Sequence, residues 1–332
     1  MDPDMRAMHN GKHSAKKNLF LLFMGLSFLA ISACPKKIDT TTKNENLVKR
    51  WFQVWNTGNL TIAEEIFATN FVNHDPNRPK VTDIESYKVW VVESRTAFPD
   101  FHVEIHDMIT EGDKVASRWT LTGTHKGNFW GVPPTSVHVT VTGMNIHRLV
   151  HGEIDEAWWS YDMLGLMQQL GVILPMPAAP LPALNRKTQD YQWSPSSEVT
   201  GDPGDPATNR NLVLHEEVEG WKQGNVDAIL ELIAPEFVNH DPIWPAVADY
   251  ESYKQWVESE LDGPLAVTVD DLIAEGDKVV ERCTVDMGGV TMESLMIIHR
   301  FADGRMVEKW WSKNMLVPLQ QLGIIRLPDQ DR

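Results

Sequence analysis

The sequence predicts an α+β chain of two tandem cone-shaped domains, each with three helices packed in a curved antiparallel sheet. Three observations predict it. The chain repeats itself. Asn73-His74-Asp75-Pro76 and Glu85-Ser86-Tyr87-Lys88 return 166 residues on, as Asn239-His240-Asp241-Pro242 and Glu251-Ser252-Tyr253-Lys254. Glu111-Gly112-Asp113-Lys114 returns 164 residues on, whereas His147-Arg148 and Gln168-Gln169-Leu170-Gly171 return after 152. The order is kept while the offset shrinks, so one domain is duplicated and the second copy is shorter. Each copy also opens with apolar residues at helical spacing and then changes to strand-like alternation. Finally, 332 residues suit two domains of about 100–200 residues each, and 42% apolar with 23% charged residues is a globular balance.

The elements follow in order. Leu47, Trp51 and Val54-Trp55 give residues 46–56 a helical period that stops at Gly58. A short second helix covers Ile62–Phe67. The third starts at the N-cap Asp83 and runs to Phe98, with Pro99 beyond it. Strands are expected at 101–105, 114–122, 137–150 and 153–161, with turns at Glu111-Gly112-Asp113 and His151-Gly152-Glu153. A sheet of this length must wrap the long helix, and its concave face then makes a pocket. The domains are 44–173 and 209–326. Residues 174–208 form a Pro-rich linker, since proline continues neither a helix nor a central strand.

Lys and Arg total 30 against 46 Asp and Glu, a formal charge of −16. Without a basic face to replace condensed counterions, no nucleic-acid partner is expected. Two cysteines exclude a disulfide framework and a CxxC metal knuckle. Leu19–Ile31 is an apolar run behind Lys16 and Lys17, too short to span a bilayer, which takes about 20 residues. It reads as a signal peptide over residues 1–33. Ile31-Ser32-Ala33-Cys34 resembles the lipobox of bacterial lipoproteins, which implies a diacylglyceryl group on Cys34 and cleavage before it. Residues 34–43 would then be a tether. The chain would be lipid-anchored on the extracytoplasmic side of a bacterial envelope. With no Asp after Cys34, the outer membrane is favoured where there are two membranes. An ordinary signal peptide is the alternative.

Copy one contains Gly123-Thr124-His125-Lys126-Gly127-Asn128-Phe129-Trp130-Gly131-Val132-Pro133-Pro134-Thr135. Downstream stand Gly152, Ile154, Glu156, Trp158, Asp162, Leu164 and Gln169-Leu170-Gly171. With the upstream NHD, this pattern resembles the SnoaL-like polyketide cyclases of the nuclear-transport-factor-2-like superfamily. The resemblance implies a ring closure by intramolecular aldol chemistry that needs no metal and no organic cofactor. It places the acid/base carboxylate on Asp162 and the polar pocket pair on Asn145 and His147, although a Gln is expected at 145. It puts an early pocket amide on Asn73.

The residues support part of this directly. Asn145 and His147, two apart on a strand, share a face. Asp162 follows Trp158 and Ser160 on one strand face. A carboxylate among indoles should have a raised pKa, and His147 could donate to a developing enolate oxygen. Trp158 and His125 complete the expected ligand-binding set. Asp162 has a second reading, as the N-cap of the helix after Tyr161, with His147 as a core residue. Asp162 pointing into a Trp-lined cavity beside His147 would favour chemistry, and Asp162 turned onto that helix would favour binding or structure.

Copy two keeps His299 but has Ile297 for Asn145 and Asn314 for Asp162, and it lacks the GTHKGNFWGVPPT segment. It reads as a degenerate cone able to pair with the first as an intrachain pseudo-dimer. Two functions remain open. One is a membrane-anchored lipoprotein whose first domain does cofactor-free cyclase, isomerase or hydrolase chemistry on a small apolar carbonyl compound. The other is a non-catalytic ligand-binding or envelope scaffold lipoprotein.

Overall fold

The computed structural model describes residues 39–174, 201–261, 263, 265–286 and 289–327. The signal segment, Cys34, the start of the tether and most of the linker lie outside the described residues.

Helix α1, Thr40–Thr57, starts where the Asp39 carboxylate accepts from Thr42 N at 2.8 Å, and ends at Gly58 with φ 71°. Its buried stripe includes Trp51, Phe52 and Trp55. Helix α2 is Leu60–Ile66. The chain then enters a strand that the sequence pattern did not foretell, β1, Phe67–His74. Helix α3, Ile84–Ala97, starts with a capping box between Asp83 and Ser86. The strands β2 (His102–Glu111), β3 (Lys114–Thr124), β4 (His138–Val150) and β5 (Glu153–Tyr161) follow, then α4, Met163–Gln169. Sheet order is β1-β5-β4-β3-β2. The β2–β5 run is an antiparallel meander, but β1 pairs parallel with β5, so the sheet is mixed rather than purely antiparallel. The fourth helix caps one end of the cone.

The second copy repeats this plan. Helix α5 (Pro206–His215) runs into a π-helix (Glu216–Trp221), followed by α6 (Val226–Leu230), β6 (Ile233–His240) and α7 (Tyr250–Glu260). Then come β7 (Ala266–Glu275), β8 (Lys278–Asp286), β9 (Thr291–Ala302), β10 (Arg305–Ser312) and α8 (Leu316–Gln321), with sheet order β6-β10-β9-β8-β7.

The outer faces of the two sheets meet. Ile109, Met144 and Ile146 of the first pack with Ile273, Ile298 and Trp310 of the second. Polar contacts around them are reciprocal. Ser160 Oγ donates to Ser312 O at 2.7 Å, and Ser312 Oγ donates to Ser160 O at 2.8 Å. Arg118, paired with Asp107, lies over Trp310 at 4.7 Å, and Arg282, paired with Asp271, lies over Trp158 at 4.9 Å. Lys114 reaches Asp271, and Lys278 reaches Asp107. Asn314 also serves this junction. Its Oδ1 accepts from Tyr161 N at 3.2 Å and its Nδ2 donates to Trp159 O at 3.0 Å, a double role that an aspartate could not fill.

Candidate functional site

The first cone holds a partly open cavity of about 60 Å³ between α1, α3 and the concave face of the sheet. Trp51, Trp55, Trp90, Trp119 and Trp159 form much of its wall, with Phe129 arriving from the β3–β4 loop. Such a space holds several waters, or the inner part of an aromatic ligand whose remainder extends through the open side. Arg78, Ser94 and Tyr161 are the polar residues besides the indoles on this wall. Room for Trp119 comes from its cross-strand partner, Gly143, where a Cβ would lie 2.4 Å from the indole. In the second cone the same pair of positions holds Cys283 and Leu295. Small and large have changed places across the strands.

The residues chosen from sequence surround this cavity without lining it. Asn73 Oδ1 accepts from Trp159 Nε1 at 2.7 Å while its Nδ2 donates to Val81 O at 2.9 Å. Asn145 Oδ1 accepts from Trp119 Nε1, and its Nδ2 donates to Trp158 O at 3.3 Å. Both amides therefore position indoles that form the wall. Buried indole N–H groups need such partners. His125 accepts at Nδ1 from Thr135 N and packs on Phe98 at 5.2 Å, bracing the β3–β4 loop.

His147 does face the concave side, opposite Ala157. It is fully buried, its ring lies 4.5 Å from that of Trp51, and both ring nitrogens lack partners. Burial pushes its pKa down to about 3, so it stays a neutral core imidazole. Trp158 requires a correction. It faces away from the cavity, stacking on His74 at 5.1 Å within the junction between the sheets, while Trp159 lines the wall. The register of β5 on β4, Trp159 opposite Asn145 and Trp158 opposite Ile146, decides this.

Asp162 is the N-cap of α4. Its Oδ1 accepts from Gly165 N at 2.7 Å. Burial, with Asp241 nearby, raises its pKa to about 6. This is the outward arrangement that disfavours a catalytic role. Asp162→Ala is expected to lower stability by about 1 kcal/mol through loss of the cap, read as a lower Tm, without loss of ligand binding.

Another carboxylate is hydrogen-bonded to the wall. Asp75 Oδ1 accepts from Asn77 N at 2.9 Å, and Oδ2 accepts from the Tyr161 hydroxyl at 3.0 Å. Burial raises its pKa to about 6, against the hydrogen bonds and the charge of Arg78, which lower it. Burial keeps the Tyr161 phenol protonated. In the second cone Asp241 closes the same turn, accepting from Ile243 N at 2.9 Å, but its other oxygen holds Lys313. One oxygen serves the fold in both copies. The other has a different partner in each.

The second interior is polar where the first is aromatic. Glu217, Glu281 and Lys309 stand at the positions of Trp51, Ser117 and Ala157. Glu216 of the π-helix pairs with Lys309, whose Nζ also donates to the Tyr253 hydroxyl at 3.2 Å. His299 Nε2 lies 3.1 Å from Glu281. All six residues are buried. The second copy lacks the GTHKGNFWGVPPT segment, and its interior is rich in charge where the first is apolar.

Burial and neighbouring carboxylates raise Glu281 to about 8 and Glu217 well above 4.5. A carboxyl with a raised folded pKa binds more protons in the folded state, so its contribution is lost as pH rises. The buried histidines act oppositely, but only below 6.5. Stability should therefore fall between pH 6.5 and 8, by on the order of 1–2 kcal/mol. Glu281→Gln should flatten that fall in urea titrations at the two pH values. An unchanged slope would contradict the assignment.

Among the described residues, no group of three or more His, Cys, Asp or Glu side chains is arranged to hold a metal ion. A mixed five-stranded sheet wrapped on helices defines each half as an α+β domain of the nuclear-transport-factor-2-like type, with an aromatic cavity on the concave face of the first. Residues 45–170 match the family model of the SnoaL-like polyketide cyclases, and residues 214–309 match that of the SnoaL-like domain. The chain carries two SnoaL-like domains in tandem.

Similar proteins include the aklanonic acid methyl ester cyclase DnrD of Streptomyces peucetius, 29% identical over 40% of this chain and 93% of its own. The aklanonic acid methyl ester cyclase DauD of Streptomyces sp. strain C5 is 28% identical over 44% of this chain and 93% of its own. Among solved structures, TsrD of Streptomyces laurentii is 22% identical over 41% of this chain and all of its own, with TM-score 0.38.

Proposed function

We propose that the first cone is a cofactor-free acid–base site for an apolar carbonyl compound, with Asp75 rather than Asp162 handling the proton. The observation that carries this is the buried Asp75 carboxyl, raised to about 6, hydrogen-bonded to a tyrosine on the cavity wall. A base of that pKa is poised near neutral pH. In the proposed step the Tyr161 hydroxyl turns from Asp75 to the substrate's carbonyl oxygen. Asp75 Oδ2 takes a proton from the α-carbon, and the C–H electron pair becomes the enolate double bond. In a ring closure the enolate carbon then bonds to a second carbonyl carbon, and the proton on Asp75 passes to the new alkoxide. His147, neutral and packed on Trp51, keeps its place in the core. Asn73 and Asn145 act as positioning residues for Trp159 and Trp119.

The carbon-rich wall and the outward Asp162 favour a second reading, ligand binding without turnover. One assay separates the two. Exchange of the methyl protons of 2-acetylnaphthalene into deuterated buffer reports enolisation whatever the true substrate is. The first reading expects exchange above background, lost in Asp75→Asn and kept in Asp162→Asn. Binding without exchange supports the second reading. Aklanonic acid methyl ester, the compound in the relatives' names, is the substrate to try next.

The anchor is part of the same proposal. Ile31-Ser32-Ala33-Cys34 supports a lipid-modified Cys34 on the extracytoplasmic face of a bacterial envelope, at the outer membrane where there are two. Metabolic labelling with an alkynyl palmitate should mark the protein and fail on Cys34→Ala. Equal labelling of both would refute the anchor.

A further inference from the structure

We propose that the first cone's cavity selects ligands that carry an anionic oxygen, a carboxylate or an enolate, on an aromatic body, and that Arg78 is the receptor for that oxygen. The inference rests on reading the cavity as a ligand site. It begins with a residue that neither the motifs nor the proposed proton transfer used.

Arg78 is the one charged residue on the cavity wall. Its guanidinium lies 5.2 Å from the Trp90 ring centre, 5.9 Å from Phe129 and 5.0 Å from Trp130. The backbone holds it too: Arg78 N donates to Asp75 O at 3.0 Å, and Arg78 O accepts from Val81 N at 2.9 Å. Stacking of this kind fixes the plane of a guanidinium and so the direction of its donors.

Those donors are poorly used. Nε is buried and, among the described residues, has no hydrogen-bond partner. The ion-pair partner is Glu93, at 3.4 Å from Nη1, and Glu93 is itself largely exposed, so the pair is weak. Asp75 is near enough to feel the charge, but its oxygens are engaged by Asn77 N and Tyr161. A buried N–H without a partner is costly, and a ligand oxygen at Nε would remove that cost. Within a carbon wall the attraction between guanidinium and oxyanion is stronger than in water.

The second cone gives an internal control. Position 244 there, which matches 78, is tryptophan. Trp244 lies 4.3 Å from the ammonium of Lys313, which Asp241 already neutralises. The second cone's aromatic box thus holds its own cation with its own counterion. The first cone presents a cation whose ion pair, with the exposed Glu93, is weak and whose other carboxylate neighbour, Asp75, is engaged by Asn77 and Tyr161.

The test is calorimetric titration of the whole chain with 2-naphthoate and with its neutral methyl ester. The expected result is that the acid binds about tenfold more tightly than the ester, as charge-assisted bonding to a stacked arginine implies. Arg78→Met should weaken the acid far more than the ester and so abolish the tenfold preference. Arg78→Lys keeps the charge but loses the fork, so it should keep only part of the preference. Near-UV circular dichroism of both variants checks that the aromatic cluster still packs. Equal affinities in the natural protein, or a preference that survives Arg78→Met, would overturn the proposal while leaving the cavity reading intact. Failure of both naphthalenes to bind would overturn the cavity reading and this proposal with it.

Discussion

Lys309→Met is expected to destabilise the protein by about 3–5 kcal/mol, the usual cost of leaving a buried charge without its partner. Lys309 and Glu216 are both fully buried, and Glu216 Oε2 already lacks a hydrogen bond. With the ammonium gone, Glu216, Glu217 and Glu281 would share one interior without the neighbouring cation. Their repulsion would be relieved only by taking up protons. Urea unfolding at pH 7 should show the loss, and lowering the pH to 5.5 should recover part of it. Glu216→Leu added to Lys309→Met should recover more, because a buried pair replaced by apolar groups is often neutral or better. An unaltered midpoint in Lys309→Met would mean that the pair is not buried as described.

Gly143→Leu is the second large effect, and it acts on the first cone. Even a Cβ at 143 would meet Trp119 at 2.4 Å and the Tyr161 side chain at 2.8 Å. Leucine must therefore push Trp119 off Asn145 and into the cavity. Overpacking of this kind costs about 1–3 kcal/mol. The second cone shows the compensation, with Cys283 opposite Leu295. Gly143→Leu combined with Trp119→Cys should thus regain most of the stability. Neither variant should regain binding of 2-acetylnaphthalene, since one fills the cavity and the other removes a wall. Full binding by Gly143→Leu would show that Trp119 does not shape the site.

Much of the fold was legible because the duplication prints each landmark twice. The Asp83 cap, the end of α1 at Gly58 and the hairpin turns at 112 and 152 follow from local chemistry that the neighbouring sequence carries. Strand β1 was hidden because Asn70 and Asn73 interrupt its apolar alternation, and its pairing with β5 joins segments far apart in the chain. The facing of Trp158 and Trp159 was hidden for a different reason. Two adjacent tryptophans carry no polar–apolar contrast, so only register assigns the inner one. Asn73, Asn145 and Asp162 were read as polar groups for a ligand, whereas their partners are indoles and a helix end. The Asp162 cap on Gly165 is local and legible as the second reading of that residue, whereas the indole partnerships of Asn73 and Asn145 are tertiary and leave no local signal.

Asp75, Tyr161 and Arg78 did leave one. Between the copies the aspartate is kept as Asp241, tyrosine becomes Lys313, and arginine becomes Trp244. A kept carboxylate whose companions change together marks where the interiors of the two copies diverge.

On the function proposed above, ligand chemistry belongs to the aromatic cavity of the first cone. Crystals of the whole chain soaked with 2-acetylnaphthalene test it most directly. The naphthalene is expected among Trp55, Trp90, Trp119 and Trp159, with the carbonyl oxygen within hydrogen-bond reach of Arg78 or Tyr161. Density for the compound in the second cone, or beside Asp162 at the start of α4, would contradict it.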